Sequence, residues 1–440
     1  MSAWWQDCGF WASPYDVRPL PSSGIGNRIL VGREGEVREL QSKIASGNLH
    51  ATINGPVGVG KTSLIAVVGY RLNQAFLQGE APLIPLRGPL PLHPTETVSS
   101  FERKLCYEVA HAFIENYEAL KTRGYHFPRP DDVRRWLRDP VWHTRGLGGS
   151  ALGSGATYTR GKSATASPGY VEFGLPTTLA AWLDDCFHGG EAGGFICTID
   201  NLELIWQHRQ LQGVLESLRD TAFSQRGLRW ILCGAEQVVR TLAATPRLHG
   251  RLDDPIDLKP IGDDKVGAAI EKRHEVYARD RKTKPIPILG PEEFLFLYDK
   301  LGKSLRDSLR YADSFSGWAH RSGNLSTDAG TDVLRGWLIE RGVEHYHDAS
   351  YRVKPRAWQL FDDLVAAGGF CTYSQHKEFS FPNTGPMRDQ MQKLIDANLV
   401  RTERAPGSRR HSLTVTPMGH LVAVARSSPL LQPVHHLPTT

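Results

Sequence analysis

At 440 residues the chain exceeds what one compact core can bury and is expected to form about two to four domains. Hydrophobic content of 40% with 22% charged residues fits a soluble globular protein, and a net charge of +5 permits an acidic partner such as nucleic acid without demanding one. The six cysteines (Cys8, Cys106, Cys186, Cys197, Cys233, Cys371) show no Cys-x-x-Cys and no paired spacing, which gives no basis for a zinc cluster or a disulfide framework and fits a reducing cytoplasm.

Met1 to Phe10 lacks the basic segment and apolar run of a secretory signal. No apolar stretch approaches the roughly 18 residues that span a bilayer, so the expectation is a cytoplasmic protein with no membrane partner. Residues 1–28 mix Trp4, Trp5, Phe10, Trp11 and Tyr15 with prolines and glycines, as an extended arm would if it laid its rings on a domain surface. A partner-binding peptide is the alternative, because exposed aromatics are enriched at interfaces.

Ile29-Leu30-Val31-Gly32-Arg33-Glu34 leads into a predicted helix from Glu34 to Ala45, with Val37, Leu40 and Ile44 at helical spacing. Ser46-Gly47-Asn48 ends it. A short apolar strand, His50 to Ile53, then runs into Gly55-Pro56-Val57-Gly58-Val59-Gly60-Lys61-Thr62-Ser63, followed by an apolar helix from Leu64 to Tyr70. The pattern is Gly-x-x-x-x-Gly-Lys-[Ser/Thr], the phosphate-binding loop. Its glycines let backbone N–H groups turn inward around phosphates, and the helix N-terminus adds partial positive charge. Lys61 is expected to reach the β- and γ-phosphates of ATP, and the Thr62 hydroxyl to help hold Mg²⁺.

The Leu30-Val31-Gly32-Arg33-Glu34 box ahead of a phosphate loop resembles the AAA+ ATPases, especially their initiator-type branch, and the related STAND signalling ATPases. The resemblance implies that the box, and Val31 within it, lies beside the adenine.

Leu83 to Leu86 reads as a second strand, and Val98 to Ala119 as an amphipathic helix through Phe101, Leu105, Val109 and Phe113. Residues 145–169 turn rich in Gly, Ser, Ala and Thr, which predicts a flexible loop or hairpin inserted in the domain. Within it, Ala156-x-x-x-x-Gly161-Lys162-Ser163 mimics a phosphate loop but lacks a preceding apolar strand and an immediate helix, so it is rejected. After a predicted helix from Leu179 to Phe187, the run Phe195-Ile196-Cys197-Thr198-Ile199-Asp200 is a buried parallel strand delivering a carboxylate. Asp200 is the Walker B candidate for Mg²⁺. The commonest AAA+ pattern has a glutamate next, whereas position 201 is Asn, which cannot act as a general base. Glu203 is the nearest carboxylate; it either substitutes as the base or caps the following helix. Slow ATP hydrolysis is therefore expected.

Leu228 to Leu232 gives a third strand, in the place of the family's sensor-1 strand but without a clear terminal Asn, Ser or Thr. Ile256 to Pro260 carries the last strand. By resemblance to AAA+ regulators of DNA transactions, Arg251 is an arginine-finger candidate acting on a neighbouring subunit, and Arg247 a weaker one; a solvated loop arginine is the alternative. Helices from Asp263 to Arg279, Pro291 to Leu301 and Ser304 to Phe315 would form a lid. Gly302-Lys303-Ser304-Leu305-Arg306 resembles the sensor-2 pattern, which would place Arg306 at the γ-phosphate; an ordinary surface arginine reads the same.

A polar linker from His320 to Thr331 and a connecting helix from Asp332 to Gly342 precede a winged-helix outline at 350–426. Glu344-His345-Tyr346-His347-Asp348 is read as exposed linker rather than a metal site. In the winged domain, Pro355 to Ala367 is a helix, Phe370 to Phe379 a turn or second helix, and a third helix starts at Thr384-Gly385-Pro386 with Thr384 or Gly385 as cap. Strands Leu399 to Arg404 and Ser412 to Thr416 flank a basic wing tip. Arg388 and Lys393 on the third helix, with Arg404, Arg409 and Arg410 on the wing, are the candidates for duplex DNA contact; a winged helix that docks protein is the alternative. Residues 427–440 read as a disordered tail.

The expected fold class is thus an α/β P-loop AAA+ domain with a parallel sheet at 29–260, a helical lid and linker at 261–345, and a winged helix. The expected function is an ATP switch that controls self-assembly or engagement of DNA or a protein partner, with homo-oligomerisation implied by the resemblance. A STAND-type signalling or defence ATPase is the alternative. A P-loop kinase of a small substrate leaves the winged helix unexplained.

Overall fold

The computed structural model describes residues 4–47, 49–93, 95–138, 141–144, 161–164, 174–188, 193–203, 209–280, 288–323, 330–404, 411–429 and 431. Most of the 145–169 insertion, Arg409, Arg410 and all of the tail beyond 431 lie outside them. So does the side chain of Arg404.

The expected fold class is the one observed. Strands β1 (Ala51–Asn54), β2 (Leu83–Pro85), β5 (Gly194–Ile199), β6 (Leu228–Gly234) and β7 (Ile256–Asp257) form one parallel sheet in the order β2-β5-β6-β1-β7, while β3 (Val141–Thr144) and β4 (Gly161–Ala164) pair with each other as a separate antiparallel ribbon. The mimic Gly161-Lys162-Ser163 therefore sits in a strand. Every residue of β1 and β5 is buried, because both faces of the sheet carry helices. Alternation along the strands divides the side chains between two cores. Phe195, Cys197, Ile199, Trp230 and Leu232 pack with the helices Val98–Glu115 and Gly174–Cys186. Ile53, Ile196, Ile231 and Cys233 pack with the helices Glu34–Ser46 and Lys61–Leu77.

Local chemistry sets the helix ends. Glu34 and Glu36 lie in the first turn of their helix, where the macrodipole favours acids, and Gly47 closes it at φ 63° in the left-handed region. Thr97 and Ser100 form a reciprocal capping box ahead of Val98. The long helix expected to reach Ala119 instead ends at Glu115, and a short one follows at Tyr117–Thr122, because the Asn116 side chain bonds the Ala112 carbonyl and competes with the helical pattern.

The three helices expected to form a lid, and called the lid below, are Asp263–Tyr277, Pro291–Lys300 and Leu305–Arg321. The arm is not simply extended: Trp4–Asp7 and Gly24–Ile29 are short helices, the second capped by the Ser23 hydroxyl. Its rings do settle on a domain surface. Trp5, Phe10 and Tyr15 are buried in the lid core beside Ile270, Phe294 and Phe315, and Trp11 stacks on Tyr277. At about 1.5–3 kcal/mol for each fully buried large side chain, this anchoring is strong.

A 21-residue helix, Gly330–Ser350, then runs to the last domain, so Glu344 to Asp348 is helical instead of linker, with Glu344, His347 and Asp348 exposed as expected. Among the described residues no group of three His, Cys, Asp or Glu side chains could hold a metal, and no helix is long and apolar enough to cross a membrane. The segment expected to be a winged helix, called the winged domain below, contains helix Pro355–Ala366, strand β8 (Phe370–Thr372), a 3₁₀ turn at Tyr373–Gln375, helix Thr384–Asp396, strands β9 (Val400–Arg404) and β10 (His411–Val415), and a final helix Pro417–Arg426. Its sheet order is β8-β10-β9. Phe370 to Thr372, expected in a turn or helix, form a strand because they pair antiparallel with the free side of β10. The cap of the third helix is Asn383, whose side chain accepts from Gly385 N–H, rather than Thr384 or Gly385.

Candidate functional site

Strand β1 ends at Asn54, and the chain turns over the sheet's carboxyl edge through Gly55 at φ 156°, Gly58 at 83° and Gly60 at 101°. All three values favour glycine. A side chain at Gly55 would overlap the Leu258 carbonyl, so the loop lies directly against the segment leaving β7. Pro56, Val57 and Val59 complete the turn; Val57 is exposed and Val59 buried. Lys61, 8% exposed, donates to the Gly55 and Pro56 carbonyls at 2.8 and 3.0 Å. Thr62 Oγ1 donates to Asp200 Oδ2 at 2.6 Å, across 138 positions of sequence.

Asp200 follows β5, and its Oδ1 accepts from Asn201 N–H at 2.8 Å. Asn201 stands in the left-handed region at φ 58°, a conformation Asn tolerates better than most residues. Glu203 also lines the cleft, and its Oε2 accepts from Ala235 N–H at 3.1 Å, tying the ends of β5 and β6 together. Cys233, near the end of β6, is buried; burial and the neighbouring Asp200 carboxylate push its thiol pKa well up.

Arg306 comes to the loop from the lid. A side chain on Gly58 would meet Arg306 Cβ at 3.1 Å and Ser304 Oγ at 3.5 Å. Ser304 caps that helix by accepting from Asp307 N–H. Lys61, Thr62, Asp200, Glu203 and Arg306 therefore share one cleft of about 80 Å³.

Val31 is half-buried and is not one of the residues lining the cleft. Its neighbour Arg33 has the tying role: at 5% exposure it donates to Val59 O at 3.2 Å and Lys259 O at 2.7 Å, and pairs with Glu36 at 2.8 Å. Arg251 is exposed at the opposite end of the sheet, where its carbonyl accepts from His50 N–H ahead of β1. It does not reach the cleft of its own chain. Arg247 lies 3.8 Å from Glu216 on the surface.

Two contributors escaped sequence reading. Val17, Arg18 and Pro19 of the arm wall the cleft, and Leu20 N–H donates to Ser63 Oγ at 3.1 Å. Arg273 of the lid, 7% exposed, lines the same cleft and donates to Pro14 O and Asp16 O at 3.0 and 3.1 Å. The available signal was compositional: a proline-studded segment just ahead of the box.

The donor set fits a magnesium nucleotide. Glycines at positive φ make a cradle that a Cβ would fill, a cation stands at its mouth, and hydroxyl and carboxylate oxygens are paired as hard ligands.

On the winged domain, Arg388 is exposed with its guanidinium 5.1 Å above the Tyr373 ring, and Lys393 donates to Gln390 at 3.0 Å. Asp389 and Asp396 are exposed on the same helix.

No family model matches the chain, and no curated protein matches it. Among solved structures, the chain is similar to the ORC2 protein of Aeropyrum pernix in ADPNP–ADP complexes, with 13% identity and a TM-score of 0.44 over 94% of this chain and 96% of that one. It is similar to the ORC1 protein of A. pernix in complex with DNA, with 13% identity and a TM-score of 0.40 over 95% and 97%. It is also similar to Cdc6p of Pyrobaculum aerophilum, with 12% identity and a TM-score of 0.38 over 94% and 96%.

Proposed function

We propose that the chain is an ATP-binding switch of the initiator-type AAA+ kind, hydrolysing ATP slowly and using its winged helix to engage duplex DNA. The observation that carries this reading is the convergence of Lys61, Thr62 and Asp200 from the core with Arg306 from the lid on one cleft.

The loop amides and Lys61 bind the β- and γ-phosphates, with Lys61 leaving the Gly55 and Pro56 carbonyls to do so. Thr62 and Asp200 are placed to hold Mg²⁺, which would neutralise charge shared by those phosphates. Arg306 adds a cation from the lid. The cleft volume of about 80 Å³ is well below the roughly 300–1,000 Å³ of sites that enclose ligands of nucleotide size, so entry requires the lid to withdraw and closure follows binding. Slow hydrolysis is supported by Asn201 at the usual base position and by the tether of Glu203 to Ala235. Arg251, on the far side of the sheet, is suited to a neighbouring subunit's site in a homo-oligomer.

Accessibility of Arg388 supports DNA engagement. The exposed Asp389 and Asp396 on that helix favour a second reading, a STAND-type ATPase whose winged helix docks protein. Light scattering on wild type and Lys61→Ala, with and without ATP and duplex DNA, tests the switch. ATP-dependent assembly or DNA affinity lost in Lys61→Ala supports it; no response to ATP in wild type refutes it. ATP-driven assembly with no salt-dependent DNA affinity selects the protein-docking reading.

A further inference from the structure

The winged domain meets the lid at the turn that launches the Arg306 helix. Gly302 and Lys303 both stand in the left-handed region, at φ 64° and 60°. Lys303 N–H donates to Tyr298 O at 2.9 Å, and its ammonium pairs with Asp263 at 2.7 Å. Ser304 then caps the helix whose second residue is Arg306. Consecutive left-handed residues, one of them a lysine, form a conformation that its surroundings must hold in place.

His420 of the final helix supplies such a surrounding. Its imidazole is wedged between two glycines: a Cβ on Gly302 would overlap His420 Nε2, and a Cβ on Gly369 would lie 3.4 Å from His420 Cε1. Gly302 belongs to the lid and Gly369 to the winged domain. Beside this contact opens a cleft of about 890 Å³, which both Gly302 and His420 line, while the next residue, Leu421, is buried in the lid core. Because the imidazole rides on the final helix, any displacement of that helix moves it relative to the turn.

We propose that His420 is a positioning residue for Arg306: by filling the space over Gly302 it fixes the Gly302-Lys303 turn, so that the seating of the winged domain is read at the nucleotide cleft. This rests on the reading of that cleft as an ATP site. Arg306 reaches the cleft from just beyond the turn, and its Cβ already lies against the Gly58 position. A small rotation of the turn is therefore felt at the loop.

Two measurements test it. Binding of Mg-ATP and Mg-ADP by calorimetry gives an ATP-to-ADP affinity ratio for wild type, His420→Ala, Arg306→Ala and the double variant. The expected result is a ratio lowered about fivefold or more in His420→Ala, ADP affinity held within about twofold, and no further loss when Arg306→Ala is combined with it. An unchanged ratio in His420→Ala, with a lowered one in Arg306→Ala, overturns the proposal. Hydrogen exchange of residues 302–309 in the nucleotide-free protein is the second measurement. Faster exchange in His420→Ala, with the Glu34–Ser46 helix unaffected, supports the positioning role, and unchanged exchange overturns it. Failure of wild type to bind either nucleotide would sink the ATP reading alone, since the exchange measurement still decides what His420 does.

Discussion

Replacing Gly58 with alanine tests whether the lid is seated on the phosphate loop. At φ 83° a residue with a Cβ costs roughly 1–2 kcal/mol, of which about 0.4–1 kcal/mol returns because the unfolded chain becomes stiffer. The new Cβ also stands 3.1 Å from Arg306 Cβ, inside ordinary van der Waals distance. Overpacking of this kind adds about 1–3 kcal/mol unless the lid withdraws. At 3.1 Å the neighbour need give by only a few tenths of an ångström, so the low end of that range, about 1 kcal/mol, applies and the sum is about 2 kcal/mol, or about 4–8 °C in the thermal transition of a unit of this size. The two contributions separate in a cycle with Arg306→Gly, which deletes the opposing Cβ: alanine at 58 should then cost about 1 kcal/mol less. Thermal denaturation followed by circular dichroism reads all four proteins. Additivity within about 0.3–0.5 kcal/mol would mean that the lid does not touch the loop in solution, and the argument for Arg306 at the phosphates would fall with it.

The cysteines give an independent check on the cores. All six are buried, and burial raises the thiol pKa to about 12 at Cys106, Cys186 and Cys371. Native protein at about pH 8 should leave all six unreacted with a thiol reagent over minutes, and denaturant should release them together; a fast-reacting thiol would contradict the packing. Stability should fall as pH drops from 6.5 towards 4. Burial, with nearby Arg229 and Arg251, depresses His50 to about 4, and burial with Arg273 does the same to His274. The unfolded chain takes up a proton at each site near pH 6.5 while the folded one does not until about 4, so each site costs up to about 3 kcal/mol across that window and nothing above it. Urea midpoints against pH for wild type and His274→Gln check this: the variant's slope should be shallower, and equal slopes would refute the assignment. Glu203→Gln should change single-turnover ATP cleavage by less than about threefold if that carboxylate serves as the tie to Ala235, whereas a loss of about 100-fold or more would identify it as the base.

What was legible in sequence was whatever depends on local spacing. The loop glycines, Lys61 and Thr62 sit within one short consecutive run, and β5 announces itself as an apolar run ending in an acid. The helix launched at Ser304 was legible for the same reason. The rest depends on contacts between distant segments, which leave no period to read. Arg273 and the Pro14 carbonyl it holds are 259 positions apart, and the wall formed by Val17 to Pro19 exists because the arm folds back onto the lid. Arg33 stands in a box that the sequence displays, but its role as a clamp on Val59 and Lys259 depends on the position of β7. The early end of the long helix at Glu115 has a local cause that apolar spacing does not register: the Asn116 side chain bonds the Ala112 carbonyl and competes with propensity.

The lid core draws on segments far apart in the chain. Trp5, Phe10 and Tyr15 enter it from the arm, and Leu421 enters it from the final helix, where the Leu421 carbonyl and Ala425 pack so closely on Gly342 that no side chain fits there. During synthesis, therefore, the lid cannot close its core until the Pro417–Arg426 helix has left the ribosome. The nucleotide-binding sheet, whose strands are complete by Asp257, must wait beside an unfinished lid. A messenger truncated within the winged domain would do more than remove one module: it would leave apolar lid surface uncovered, and such fragments should be taken up by chaperones or degraded rather than persist as free proteins.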